Sequence, residues 1–159
     1  MGPMTKRSQY LVLSLVAAVV VGIDQLTKSI ALENFKDDPQ DVIGGVLTFR
    51  ITYNSGGAFG LLQGLPGLFL VATIVAAVVI LFWVRHLDRP HWMVPLGMVL
   101  GGGLGNLIDR VVRSTDGQVV DFIDFHVWPV FNIADACIVA GVVWLIFLGG
   151  REEVERMEE

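Results

Sequence analysis

Two Asn-x-x-Asp tetrads, Asn106-Leu107-Ile108-Asp109 and Asn132-Ile133-Ala134-Asp135, lie inside otherwise apolar stretches of the chain. A carboxylate at the centre of a membrane helix costs about 2.5–3.5 kcal/mol on insertion scales, so two of them imply a task that needs them. Positions i and i+3 share a helix face, which lets each asparagine point where its aspartate points. Antiparallel helices would bring both polar faces to one depth. Two carboxylates in one site resist joint ionisation, and one keeps its proton near neutral pH. Such a pair can hydrolyse a peptide: one aspartate takes a proton from the attacking water while the other donates to the carbonyl oxygen. Asp109 falls near the C-terminal end of its helix, where the dipole disfavours an anion, and Asp135 falls in the first turn of the next, where it favours one. Asp135 is therefore expected to be the ionised member and Asp109 the protonated one.

Each polar cluster also has a structural reading. Asp24 and Lys28, spaced i,i+4, make a helical ion pair whose lysine can snorkel outward. Asn132 suits the N-cap of its helix, with Asp135 at the third position. Arg110 is the nearest cation to Asp109 in sequence, but adjacent residues do not share a helix face. The single cysteine, Cys137, excludes an intramolecular disulfide and reads as a small core residue. Two other function classes fit the same residues. Intramembrane Asp, Asn, Arg and Lys also mark small transporters and proton relays. A metal hydrolase could use Asp109, Asp121, Asp124, Asp135 and His126, but a lone histidine without a ligand motif argues against it.

The elements that position these groups follow from composition. The chain has 159 residues, 53% of them hydrophobic, and a mean hydropathy of +0.64. It is too apolar for an ordinary soluble domain and one domain long. Four segments reach the roughly 20 apolar residues that cross a bilayer: 10–32, 65–84, 92–112 and 130–148. The first follows Lys6 and Arg7 as a leader would, but no small-x-small cleavage site precedes a polar region, and it reads as a retained helix. Lys6, Arg7, Arg85, Arg89, Arg151 and Arg156 fall on the side of the termini, which places both termini in the cytoplasm. Trp83 and Trp92 would mark the cytoplasmic boundary and Trp128 the external one. A net charge of −5 without a basic patch excludes nucleic acid as a partner.

The expected fold is an all-α membrane protein of four transmembrane helices with a small extracytoplasmic β-sheet and loop subdomain. External loops are expected at 33–64 and 113–129 and a cytoplasmic tail at 149–159. In the first loop Val46, Thr48, Arg50, Thr52 and Asn54 alternate with Leu47, Phe49, Ile51 and Tyr53, a strand with one apolar face to lay on lipid or on the helices. Ser55-Gly56-Gly57 ends it. The second loop, with a turn at Asp116-Gly117 and an apolar-acidic run over 119–125, is expected to pair with or cover the first.

The stretches Asp24-Gln25-Leu26-Thr27-Lys28, Asn54-Ser55-Gly56-Gly57-Ala58-Phe59, Gly101-Gly102-Gly103-Leu104-Gly105-Asn106-Leu107-Ile108-Asp109-Arg110, Val119-Val120-Asp121-Phe122 and Trp128-Pro129-Val130-Phe131-Asn132-Ile133-Ala134-Asp135 resemble lipoprotein signal peptidase, signal peptidase II. The resemblance runs in the family's order over most of the chain. It implies an aspartyl endopeptidase of the bacterial cytoplasmic (inner) membrane, free of metal and cofactor. Such an enzyme cuts the signal peptide from a prolipoprotein just before a diacylglyceryl-modified cysteine. It further implies Asp109 and Asp135 as the dyad, with Asn54, Asn106, Arg110 and Asn132 orienting substrate and dyad, and Asp24 and Lys28 in support. Membrane lipid and inhibitors of the globomycin type are the other implied partners. Asp121 belongs to a family motif and reads as structural, holding the loop near Arg110 or Arg113. The segment between Asp121 and Asn132 is short for the family, and Cys137 stands where a small hydroxyl residue is common.

Overall fold

The computed structural model describes residues 4–56, 66–113 and 115–158. Gly57, Ala58 and Phe59 of the Asn54 motif, Leu65 at the start of the second expected span, and Ser114 lie outside the described residues. The elements in chain order are α1 (Lys6–Asn34), β1 (Gln40–Ile43), β2 (Leu47–Asn54), α2 (Pro66–His86), a 3-10 turn (Pro90–Trp92), α3 (Met93–Val112), β3 (Val119–Asp124) and α4 (Ile133–Glu158).

α1 begins at Thr5, whose hydroxyl accepts from the backbone N–H of Ser8 at 3.2 Å, the usual way to satisfy a helix start. Its buried positions are Gln9, Leu13, Ala17, Val20, Asp24, Lys28 and Ala31. The steps of three and four residues make one inward stripe. Leu11, Leu15, Val19, Ile23, Leu26 and Ile30 face outward instead. Buried charge and exposed leucine are the reverse of a soluble helix and fit a lipid surround. Both α1 and α4 are long and apolar enough to cross a membrane.

α3 is the hub, packed on α1 along one face and on α4 along another. Glycines allow the close approach. A Cβ at Gly105 would stand 2.6 Å from Asp24 Oδ2, and one at Gly102 would stand 2.5 Å from Ala134 O. Neither position tolerates a side chain, so small residues set the helix spacing here. Leu13, Ala17, Ile80, Val84, Met93, Leu96 and Leu100 form the apolar core toward the α2–α3 turn.

The sheet has the order β1-β2-β3, antiparallel throughout. β2 and β3 pair as expected of the two loops, with Thr52 opposite Asp121 and Asn54 opposite Val119. β1, which is exposed along its length, extends the sheet beyond the expected strand. Gly45, at φ 69°, turns the β1–β2 hairpin in a conformation that favours glycine. The apolar side of the sheet rests on the end of α1: the C-cap residue Phe35 packs tilted on Phe49 at 5.2 Å, and Phe49 tilted on Phe122 at 6.4 Å. Two expected boundaries shift. α4 starts at Ile133 rather than 130, because Phe131 is still bridged to Ile123. It then continues helically to Glu158, because the tail is rich in helix-forming Glu and Arg. Trp92 turns inward and donates to Glu152 at 3.2 Å instead of lying as a free interfacial ring.

Candidate active site

The polar groups form two layers where α1, α3, the start of α4 and β3 meet. The inner layer is built on α1 and α3. Lys28 and Asp24 are fully buried, with Nζ 2.9 Å from Asp24 Oδ2 and 2.8 Å from Asp109 Oδ2. Arg113 donates to Asp109 Oδ1 at 3.0 Å, and so does Gln25 Nε2 at 3.0 Å. The backbone N–H of Val120 completes the set, donating to Asp109 Oδ2 at 3.0 Å. Four donors occupy the two oxygens of Asp109, which is close to all that a carboxylate can accept. The cation that compensates Asp109 at its helix end is Arg113, four residues on, together with Lys28 from α1.

The outer layer is made of amides and two carboxylates. Asn132 caps α4: its Oδ1 accepts from Asp135 N at 2.9 Å, and its own N–H donates to Asp135 Oδ2 at 3.3 Å. This reciprocal pair is a capping box. The same Asn132 donates through Nδ2 to Asp121 Oδ1 at 2.7 Å and to Asn106 Oδ1 at 3.1 Å. Asn106 in turn donates to Asp135 Oδ1 at 2.8 Å, and Asn54 donates to Asp121 Oδ2 at 2.9 Å. From α1, Asp24 Oδ1 accepts the N–H of Ala134 at 3.0 Å, fixing the entry of α4 from the opposite side.

A cavity of about 370 Å³ opens on this layer, lined by Asn54, Asn106, Arg110, Trp128 and Asp135 among others. Asp121, 1% exposed, lies directly behind Asn54 and Asn132. Its pKa is pushed up to about 7, first by burial and then by the nearby Asp135 charge. The Asn54 and Asn132 hydrogen bonds and the Lys28 charge pull the other way. Arg110 donates to Asn106 O at 3.3 Å. His126, on the far side of the sheet, contacts Thr48 Oγ1 at 2.9 Å and donates its N–H to Asp124. Among the described residues no three His, Cys, Asp or Glu side chains gather as metal ligands.

The signal peptidase (SPase) II family model matches residues 16–149, most of the chain. The chain belongs to the signal peptidase II family. A lipoprotein signal peptidase of Moorella thermoacetica is 42% identical over 145 residues, covering 87% of this chain and 95% of the relative. One of Mycobacterium avium is 44% identical over 139 residues, covering 84% and 75%. A solved structure described as a bacterial membrane enzyme superposes with a TM-score of 0.80 at 31% identity, covering 91% of both chains.

In this signal peptidase II chain, the structure brings together Asn54, Asn106, Arg110 and Asp135 around one cavity, with Asn132 buried behind them. Asp24 and Lys28 sit beneath them. Neither Asp109 nor Asp121 lines the cavity; Asp109 is linked to Asp135 only through Lys28 and Asn106. The carboxylate linked to Asp135 through Asn132 is Asp121. Of the two arginines expected near Asp121, Arg113 is taken by Asp109 and by Gln25, whose Oε1 accepts from it at 2.8 Å, while Arg110 is within electrostatic reach of Asp121. Neither Gln25, a member of the Asp24–Lys28 motif, nor Arg113, expected near Asp121, stood out in the sequence as a partner of Asp109. The i,i+4 spacing of Asp109 and Arg113 was the available signal for that pair.

Proposed function

We propose that the working dyad is Asp121 with Asp135, and that Asp109 is a positioning residue. The observation that carries this is the single amide of Asn132, which hydrogen-bonds Asp121 while its backbone and side chain cap Asp135. The protein is an aspartic peptidase of the signal peptidase II type, acting on prolipoproteins in the membrane. Asp121, with its raised pKa, holds the proton at neutral pH, and Asp135, in the first turn of α4, is the base. A water between them loses a proton to Asp135 as its oxygen bonds to the scissile carbonyl carbon, while Asp121 protonates the carbonyl oxygen. As the tetrahedral intermediate collapses and the C–N bond breaks, the proton on Asp135 goes to the leaving amine and one gem-diol hydroxyl returns its proton to Asp121, which leaves the carboxylic acid and restores both aspartates.

The finer features follow from the same reading. All four long helices span the bilayer, the 1–159 chain is one peptidase domain, both termini are cytoplasmic, and the sheet lies at the outer face. The diacylglyceryl chains of the substrate stay in hydrocarbon while the bond before the modified cysteine meets the dyad. Arg110, a fixed donor fork on the cavity wall, suits a substrate carbonyl, and a globomycin-type cyclic peptide fits the same place. The deciding experiment is cleavage of a diacylglyceryl-modified prolipoprotein and its unmodified form by Asp109→Asn, Asp121→Asn and Asp135→Asn. Activity should vanish in the last two. Cleavage by Asp121→Asn with none by Asp109→Asn would return the role to Asp109. Cleavage by all three, with loss of an ion flux, would favour a proton relay instead.

A further inference from the structure

Lys28 is the most deeply buried cation of the chain, yet it touches neither Asp121 nor Asp135 in any described contact. Its ammonium carries three donors and meets three acceptors: Asp24 Oδ2 at 2.9 Å, Asp109 Oδ2 at 2.8 Å and Asn106 Oδ1 at 2.9 Å. Having no lone pair to accept with, it admits only the oxygen of the Asn106 amide. The amide nitrogen is thereby turned to the other side, where it donates to Asp135 Oδ1 at 2.8 Å. Asn132 Nδ2 donates to the same Asn106 oxygen at 3.1 Å. A flipped amide would set its NH2 against two donors and its oxygen against a carboxylate.

We infer that Lys28 is a positioning residue: it fixes the polarity of the Asn106 amide and, through it, the hydrogen bond that Asp135 receives. The inference rests on Asp135 being a member of the dyad. Asp24 and Asp109 hold the lysine in register, and with Arg113 the four charges sum to zero. Removing Lys28 alone would leave a buried carboxylate in excess. The informative variant is therefore Lys28→Met together with Asp24→Asn, which keeps the cluster neutral and leaves an oxygen for the Ala134 N–H.

The test is a mutant cycle on cleavage of a diacylglyceryl-modified prolipoprotein, with the thermal midpoint of each purified variant measured alongside. K28M/D24N should lower kcat about tenfold or more, with KM within about threefold. Asn106→Ala should do the same. The triple variant should lose no more than Asn106→Ala alone, because Lys28 acts only through that amide. An unchanged kcat in K28M/D24N overturns the inference, and so does a triple loss equal to the product of the separate losses. If K28M/D24N does not fold, Asn106→Asp decides. It keeps a partner for Lys28 but has no N–H for Asp135, so it should fold and lose about tenfold or more in kcat. Wild-type kcat in Asn106→Asp overturns the inference. Asp135→Asn, run in parallel, separates the two proposals: cleavage surviving there sinks the dyad assignment itself.

Discussion

Two sets of buried aspartates stand a few hydrogen bonds apart in this peptidase and have opposite surroundings. Asp24 and Asp109, on the helices, are locked in ion pairs with Lys28 and Arg113. Asp135, at the cavity, and Asp121, behind Asn54 and Asn132, take their described hydrogen bonds from amides: Asn54, Asn106, Asn132 and the backbone of Asn132. These neutral donors orient a carboxylate more than they fix its charge, and the cation that acts on both, Arg110, lies on the cavity wall. The inner layer is therefore suited to holding α1, α3, α4 and β3 together, and the outer layer to chemistry. Residue type is the same in both. The donors make the difference.

The largest effects should separate the layers on two axes. Asp121→Asn and Asp135→Asn are expected to lower cleavage by about a thousandfold or more while the thermal midpoint in detergent stays near wild type. Asp109→Ala should do the reverse in kind. Leaving Lys28 and Arg113 short of a buried partner costs about 3–5 kcal/mol, read as a fall in the midpoint, with activity lost only as the fold is lost. Lys28→Met alone should also lower the midpoint, with a further loss of kcat because the Asn106 amide is no longer held. A stable, inactive Asp109→Ala would break the comparison, because the inner layer would then be doing chemistry.

Much of this arrangement was legible in the sequence. Helical spacing paired Asp24 with Lys28, Asn106 with Asp109 and Asn132 with Asp135, although Lys28 is fully buried rather than snorkelling outward, and the N-cap reading of Asn132 matches the capping box at α4. Alternation located β2, and its pairing with the second loop followed. The link from Asp135 through Asn132 to Asp121 was not legible. The symmetry of the two Asn-x-x-Asp tetrads pointed to Asp109, whereas Asp121 arrives by strand register, opposite Thr52. β3 is buried on both faces apart from the half-buried Ile123, so no alternation marked its inward side. The contact of Asp24 with Ala134 joins residues 110 positions apart; no local pattern encodes it. β1 carries four exposed residues and no apolar face by which to recognise it.

A smaller effect should appear with pH. Asp121 has a pKa of about 7 in the folded protein against 3.8 for an ordinary aspartate. Between those values the folded chain holds a proton that the unfolded chain has released, so stability falls as pH rises across the window. The thermal midpoint of the wild type should therefore drop between about pH 4 and 7 and level off above. Asp121→Asn should flatten that slope and lie a few degrees above wild type at pH 8. kcat should also fall as pH rises through about 7, because the dyad loses its acid. Equal slopes in the two proteins would remove Asp121 as the titrating group.

The finest test concerns the amides themselves. Asn54 Nδ2 donates to Asp121 Oδ2, while its Oδ1 accepts the N–H of Gly56 at 2.9 Å, which turns the donating end toward the carboxylate. This bond favours the anion and lowers the pKa of Asp121 against burial and Asp135. Asn54→Ala should accordingly push that pKa further up and move the basic limb of the kcat profile to higher pH. The cost in stability should be about 1 kcal/mol, one part-buried hydrogen bond. Asn54→Asp should move the limb further in the same direction, since a second carboxylate beside Asp121 disfavours its ionisation. If neither variant shifts the limb, burial and Asp135 alone set the proton on Asp121. The contrast between the layers would then lie in the direct ion pairs of Asp109 with Lys28 and Arg113, with the amides serving only to hold the outer carboxylates in place.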